Sequence, residues 1–173
     1  MNAPELSRMI KARFLPAEPV TVEANEAERA ALATRFGISA VERLVAVVSL
    51  EADGETIHAS GTLEAEIVQP CAVSGEDFAN SVAEPVKLVF VPPRAYPDGE
   101  DEKIDLEEAD LDEIEFTGES FDLGEAVAQT LGLAIDPYAE GPGAEDARRT
   151  SGIEPEGTPR GPLADALKGL AKD

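Results

Sequence analysis

The chain of 173 residues has no tryptophan, one cysteine and one histidine. A single thiol excludes an intrachain disulfide and gives no sign of an oxidising compartment. Aromatic residues are only 5% of the sequence, so a core must come mainly from Val, Leu, Ile and Ala. Positive charge is also scarce. Lys and Arg number 14 against 36 Asp and Glu, a formal charge of −22. A field of that sign repels phosphate backbones and anionic membranes and favours basic proteins. No run approaches the ~20 apolar residues that a membrane span requires. The start, MNAPELSRMIKARFLP, carries Arg8, Lys11 and Arg13 without an apolar signal core. The expectation is a cytoplasmic protein with no membrane partner. Its glycines form no G-x-G-x-x-G or Walker pattern. No cofactor or small-molecule substrate is therefore expected.

What the sequence does contain is concentrated in ESFDLGEAVAQTLGLAIDPY, residues 119–138. Asp122 is placed as a helix N-cap, with Glu125 three residues on. Phe121 and Ala126 have hydrophobic-staple spacing. Leu123, Val127 and Leu131 recur every four residues as one apolar stripe. Pro137 and Tyr138 end the run in a turn.

Earlier in the chain, Asn25 and Glu28 have capping-box spacing, and Gly37 is suited to end the helix they begin. Helices are thus expected at 25–36 and 122–133. Asp53-Gly54 predicts a hairpin with a type I′ turn. With those two residues as the loop, Leu50 opposes Ile57, Val48 opposes Ala59, and Leu44 opposes Leu63 on one apolar face. Phe78, Val82, Val86, Leu88 and Phe90 share a parity in a third strand, and Pro85 marks a bulge or an edge there. Ile114 and Phe116 suggest a short returning strand. The fold class expected is α+β: an antiparallel, curled or barrel-like sheet with two main helices and a flexible C-terminal tail. The expected organisation is an extended lead-in over 1–18, one domain over 19–138 with an acidic loop near 92–112, a flexible linker over 139–161, and a short helix over 162–173.

Residues 98–125 hold fourteen acidic side chains against one lysine. Asp105, Glu107, Glu108, Asp110, Asp112 and Glu113 lack EF-hand spacing. They read as a solvated acidic loop, a weak Mg²⁺ or Ca²⁺ attractor, or an RNA-like surface holding a basic protein. Basic contacts to RNA could come from Arg8, Lys11 and Arg13, or from Arg148, Arg149 and Arg160, both groups expected in flexible tails. Cys71 with His58 as its base would form a nucleophilic pair. The expected hairpin puts them at opposite ends of a strand, on the order of 35 Å apart. The expectation is that the protein is not an enzyme and has no catalytic residue.

Several blocks together resemble the YceD family, the large ribosomal RNA subunit accumulation proteins. They are Gln69-Pro70-Cys71-Ala72-Val73-Ser74-Gly75, the acidic stretch, Phe121-Asp122-Leu123-Gly124-Glu125, Asp136-Pro137-Tyr138, and the tail Pro162–Lys168. The segment Thr21–Ala40 looks like the alphaproteobacterial variant. Many relatives have C-x-x-C-G at the turn, half of a zinc site. Here Ser74 stands at the second cysteine position and no other cysteine exists. The resemblance therefore implies no metal for this chain. It carries no active-site residue either. It implies a non-enzymatic accessory factor in large ribosomal subunit biogenesis, with a ribosomal protein or pre-ribosomal particle as partner, or ribosomal RNA. The alternative is an acidic chaperone or scaffold for a basic protein without RNA contact.

Overall fold

A computed structural model describes residues 4–93 and 113–153. The acidic residues Asp105, Glu107, Glu108, Asp110 and Asp112, together with Arg160 and the C-terminal helix expected over 162–173, lie outside the described residues.

The centre is a three-strand meander: β3 (Ala40–Asp53), β4 (Thr56–Pro70) and β5 (Asp77–Val91). It follows β1 (Met9–Lys11) and β2 (Val20–Glu23). Alternation decides which side is buried. Leu44, Ala46 and Val48 of β3 face inward with Ile57, Ala59, Leu63, Ala65 and Ile67 of β4, and with Val82, Val86 and Phe90 of β5.

The hairpin closes two residues away from its expected register. Asp53 opposes Thr56 and Leu50 opposes Ala59, so the loop is Gly54-Glu55 rather than Asp53-Gly54. Only Gly54 has a positive φ, 64°. This is the type II′ pattern, with glycine at the first central position, and not the type I′ turn expected from Asp-Gly. A shift by two leaves every side chain on its expected face, because the strand period is two. The apolar face was therefore assigned correctly although its partners were not.

Pro85 opposes Thr62 without a register break between β4 and β5, which makes it an edge residue and not a bulge. The short return, β6 (Glu113–Glu115), pairs with Val89–Val91 in parallel. The five strands run in the order β2-β3-β4-β5-β6. The sheet is therefore mixed rather than antiparallel, and it is open rather than barrel-like. A parallel neighbour needs a crossover instead of a tight turn, and residues 92–112 supply the length for one.

The helices match their signals. In α1 (Glu26–Phe36) the Asn25 side chain accepts the Glu28 N–H while the Glu28 carboxylate accepts the Asn25 N–H, and Gly37 closes the helix at φ 67°. In α2 (Leu123–Ala134) the stripe Leu123, Val127 and Leu131 is fully buried. β7 (Ser120–Asp122) leads into α2 and pairs with β1, making a second, two-stranded sheet.

Two expectations about the chain's flanks change. The N-terminal segment is more than a lead-in, since Leu6 is fully buried and Met9–Lys11 is a strand. The stretch expected as linker over 139–161 contains α3 (Ala144–Thr150). Composition averaged over that stretch hides its local order. Glu145 and Asp146 occupy the first turn and Arg148 and Arg149 the last, the arrangement a helix dipole favours. Ala144 is buried beneath it.

Candidate functional site

The block Phe121-Asp122-Leu123-Gly124-Glu125 is where the N-terminal segment, α1, α2 and the sheet meet. Each of its residues has a separate physical task. Phe121 is buried against Phe90, with ring centroids 4.3 Å apart, and Phe116 adds a second ring at 5.8 Å. Asp122 caps α2 by accepting the N–H groups of Gly124 at 3.0 Å and Glu125 at 3.2 Å. The same carboxylate accepts the Arg8 N–H at 2.7 Å and the Ser7 hydroxyl at 2.6 Å. One side chain thus satisfies the helix start and fastens the N-terminal segment across it. Leu123 fills the core and donates its N–H to the Arg8 carbonyl at 3.0 Å. Gly124 leaves room for the crossing backbone of Ser7 and Arg8. Glu125 holds Arg35 of α1 through two bonds of 2.8 and 2.9 Å.

Charge is paired closely here. Arg35 also reaches Glu5 at 2.9 Å. Arg8 binds both oxygens of Glu28, at 2.7 and 3.0 Å, and donates to the Glu23 carbonyl at 2.8 Å. The Arg8 guanidinium holds the Glu28 carboxyl below the usual carboxylate range, and Arg35 does the same to Glu125. Arg8 is therefore not a free basic residue in a flexible tail, as the sequence suggested. It locks the N-terminal segment onto the first turn of α1.

A second cluster lies at the far end of β4. Cys71 is buried, 3% exposed, and its sulfur accepts the N–H groups of Val73 and Ser74 at 3.4 Å each. The Ser74 hydroxyl leads the causes that draw the thiol down to about 7, followed by the Ser74 N–H, with Gly141 and Val73 contributing less. Gly75, at φ 74°, returns its N–H to the Cys71 carbonyl at 2.9 Å. The exit Asp136-Pro137-Tyr138 packs alongside. Asp136 accepts the Tyr138 N–H with its side chain at 2.8 Å and accepts the Gln69 side-chain amide with its carbonyl at 2.9 Å. Ala72 donates to the Ala139 carbonyl at 3.0 Å. Tyr138 itself is exposed. The Gln69-to-Gly75 block and the Asp136-to-Tyr138 exit are thus one structure, formed where the β4–β5 turn receives the chain leaving α2.

These contacts fix the shape of the turn and of the exit from α2. His58 is exposed and opposes Glu51 near the hairpin turn. It is thirteen residues along the chain from Cys71, roughly 40 Å at strand rise. Among the described residues no three His, Cys, Asp or Glu side chains gather as a cation site would require.

Of the expected partner-binding residues, Arg148 pairs with Glu140 and with Glu145, the latter at 3.0 Å. Arg149 pairs with Asp146 at 3.3 Å. Glu113 opens β6. Sequence reasoning reads Gly132 only as weakening the end of the helix and misses its packing role: a Cβ there would stand 2.8 Å from the Phe36 ring. A glycine inside an otherwise strong helical pattern is the signal that could have flagged this close packing of α2 on α1.

The family model described as Large ribosomal RNA subunit accumulation protein YceD matches residues 59–162. That span runs from the first part of β4 through α3 and includes both motif blocks. No curated protein matches. No solved structure matches either.

Proposed function

The chain belongs to the YceD family of large ribosomal RNA subunit accumulation proteins, and from that premise we propose that it is a non-enzymatic accessory factor in large ribosomal subunit biogenesis. The observation that carries this reading is the family match over 59–162. The site's chemistry supports it. The Phe121–Glu125 block spends its polar groups on caps and ion pairs inside the molecule. Cys71 is sealed in a turn far from His58. A factor of this kind acts by holding partners, so its function rests on surface charge and shape. Depletion followed by gradient sedimentation of ribosomal particles tests the reading. A deficit of large subunits and of their RNA is expected, and a normal profile would sink it.

A second reading concerns mechanism: contact with a basic protein rather than with RNA. The observation favouring it is the pairing of the cations. Arg8, Arg35, Arg148 and Arg149 each face a carboxylate of the same chain. Phosphate contact would have to break those pairs against a net charge of −22. Capture of large-subunit components on the immobilised protein, before and after nuclease treatment, separates the two. Nuclease-resistant capture is expected.

A further inference from the structure

From the free margin of β5 we infer a docking surface for an extended segment of a basic polypeptide. Among the described residues β5 is paired on one side by β4 over Asp77–Phe90, but on the other side only at Val89–Val91 by β6. Among those residues no strand pairs with 79–87 on that side, which leaves a strand edge there. Such an edge is a template for another strand. Pro85 removes one donor near its end, and Asp77–Glu84 precede it without interruption.

The side chains along this margin define the occupant. On the outer face β5 shows Ala79, Ser81 and Ala83, all small and exposed. Beside them on β4 stand Glu66, opposite Ser81, and Glu64, opposite Ala83 and paired with Arg43 of β3 at 3.3 Å. The Ser81 hydroxyl donates to Glu66 at 2.7 Å, which orients that carboxylate toward the margin. A strand added to β5 would place its residues two strand spacings, about 10 Å, from these carboxylates. The small side chains between leave a trough that an extended Lys or Arg can cross. On the inner side the margin borders a groove lined by Glu84, Lys87, Leu88, Thr130, Leu133 and Ala134, with Pro85 at its rim. Leu133 is 89% exposed there, although α2 is otherwise buried on its apolar stripe. That apolar wall suits an aliphatic stem, and because Glu84 and Lys87 both line the groove, the charge preference comes from the outer face and the net charge.

Charge selects among possible occupants. A second copy would bring another −22 and the same carboxylates to the junction. Nucleic acid offers no backbone N–H for the edge and repels the wall. A basic extended segment satisfies the edge, the trough and the groove together. The inference rests on the protein-partner reading above and names the surface that reading uses.

A capped peptide alternating Lys and Val, titrated into the full chain, tests it. Tight binding is expected, with amides of residues 79–87 gaining protection from hydrogen exchange. Ala83→Arg places an internal cation in the trough and is expected to weaken binding about tenfold. Glu66→Gln is expected to weaken it by a few-fold, about the worth of one exposed ion pair. Thermal unfolding of each variant reports that the fold is retained. Two further peptides, N-methylated on alternate amides in either phase, separate edge pairing from charge alone. One of them is expected to lose binding. Equal binding by both, or indifference to Ala83→Arg, overturns the edge assignment. Nuclease-sensitive capture overturns the protein-partner reading instead, so the two failures are distinct.

Discussion

A Cβ built on Gly124 would stand 2.7 Å from the backbone nitrogen of Arg8. The first turn of α2 and the N-terminal segment touch backbone to backbone at that point. The approach allows Asp122 to cap the helix and accept the Arg8 N–H with one oxygen. The glycine of the family block is thus required by the crossing strand and not by its own φ.

Gly124→Ala should therefore be costly. The atoms met are backbone atoms of Ser7 and Arg8, which cannot step aside as a side chain end can. Overpacking of this kind costs about 1–3 kcal/mol, and loss of the β1–β7 pairing adds to it. Gly132→Ala is the control. Its Cβ would meet the edge of the half-buried Phe36 ring, which can shift. The gain in helix propensity, about 1 kcal/mol, offsets much of that strain. Denaturant unfolding should rank Gly124→Ala well below Gly132→Ala. Equal losses would refute the backbone-contact argument.

The ion pairs at the same junction give a pH-dependent prediction. Glu28 and Glu125 have carboxyl groups held below their ordinary values by Arg8 and Arg35. A depressed folded pKa means that the unfolded chain binds the proton first as pH falls. The stabilisation is complete above the unfolded value, near 4.3, and is lost as pH drops through the folded value. Relief of the −22 self-repulsion acts in the opposite direction, so the total profile mixes the two effects. Comparing Arg35→Met with the parent isolates the pairs that Arg35 makes with Glu125 and Glu5. The variant should be less stable by about 1 kcal/mol at pH 7, and the gap should narrow as pH falls below the unfolded carboxyl value and through the lowered folded one. A gap that persists undiminished in acid would assign the loss to packing of the Arg35 stem.

Much of this junction was legible in the sequence, and the illegible remainder has a physical pattern. Caps are local, so Asn25, Gly37 and Asp122 announced both helices to within a residue. Alternation is local too, so the buried face of β3 and β4 was readable even while the hairpin partners were off by two. Contacts distant in sequence were not readable. Nothing in MNAPELSRMIK announces that Leu6 is core or that Arg8 meets Glu28 and Asp122. The parallel sense of β6 depends on a crossover, which no short pattern encodes. The helix at 144–150 was concealed by a Gly- and Pro-rich surround.

Cys71 offers a test of the turn over Gln69–Gly75. The Ser74 hydroxyl is the leading cause of the lowered thiol value of about 7. Followed by thiolate ultraviolet absorbance, the parent should titrate near neutrality, and Ser74→Ala should titrate higher. The thiol is an acid with a depressed folded pKa. The turn therefore gains stability as pH rises through about 7 toward the unfolded value, and Cys71→Ala should lack that gain. If Ser74→Ala left the titration in place, the backbone N–H groups alone would be responsible.

The partner question turns on whether the chain's arginines are available. Arg148 and Arg149 sit in α3 facing Glu140, Glu145 and Asp146. If they carried RNA contact, reversing both to Glu would weaken capture of large-subunit components and flatten its salt dependence by about two phosphate equivalents. If the acidic surface holds a basic protein, the same reversal adds negative charge and leaves capture intact or stronger. Neutralising Asp105, Glu107, Glu108, Asp110, Asp112 and Glu113 together then becomes the damaging change, because it removes six charges from the attractive field. Both variants are measured on the full chain, with and without nuclease, across a salt series. We expect the arginine reversal to be silent and the acidic neutralisation to shift half-maximal release to lower salt. The opposite pair of results would place the RNA at the arginines and leave the acidic run as a solvated loop.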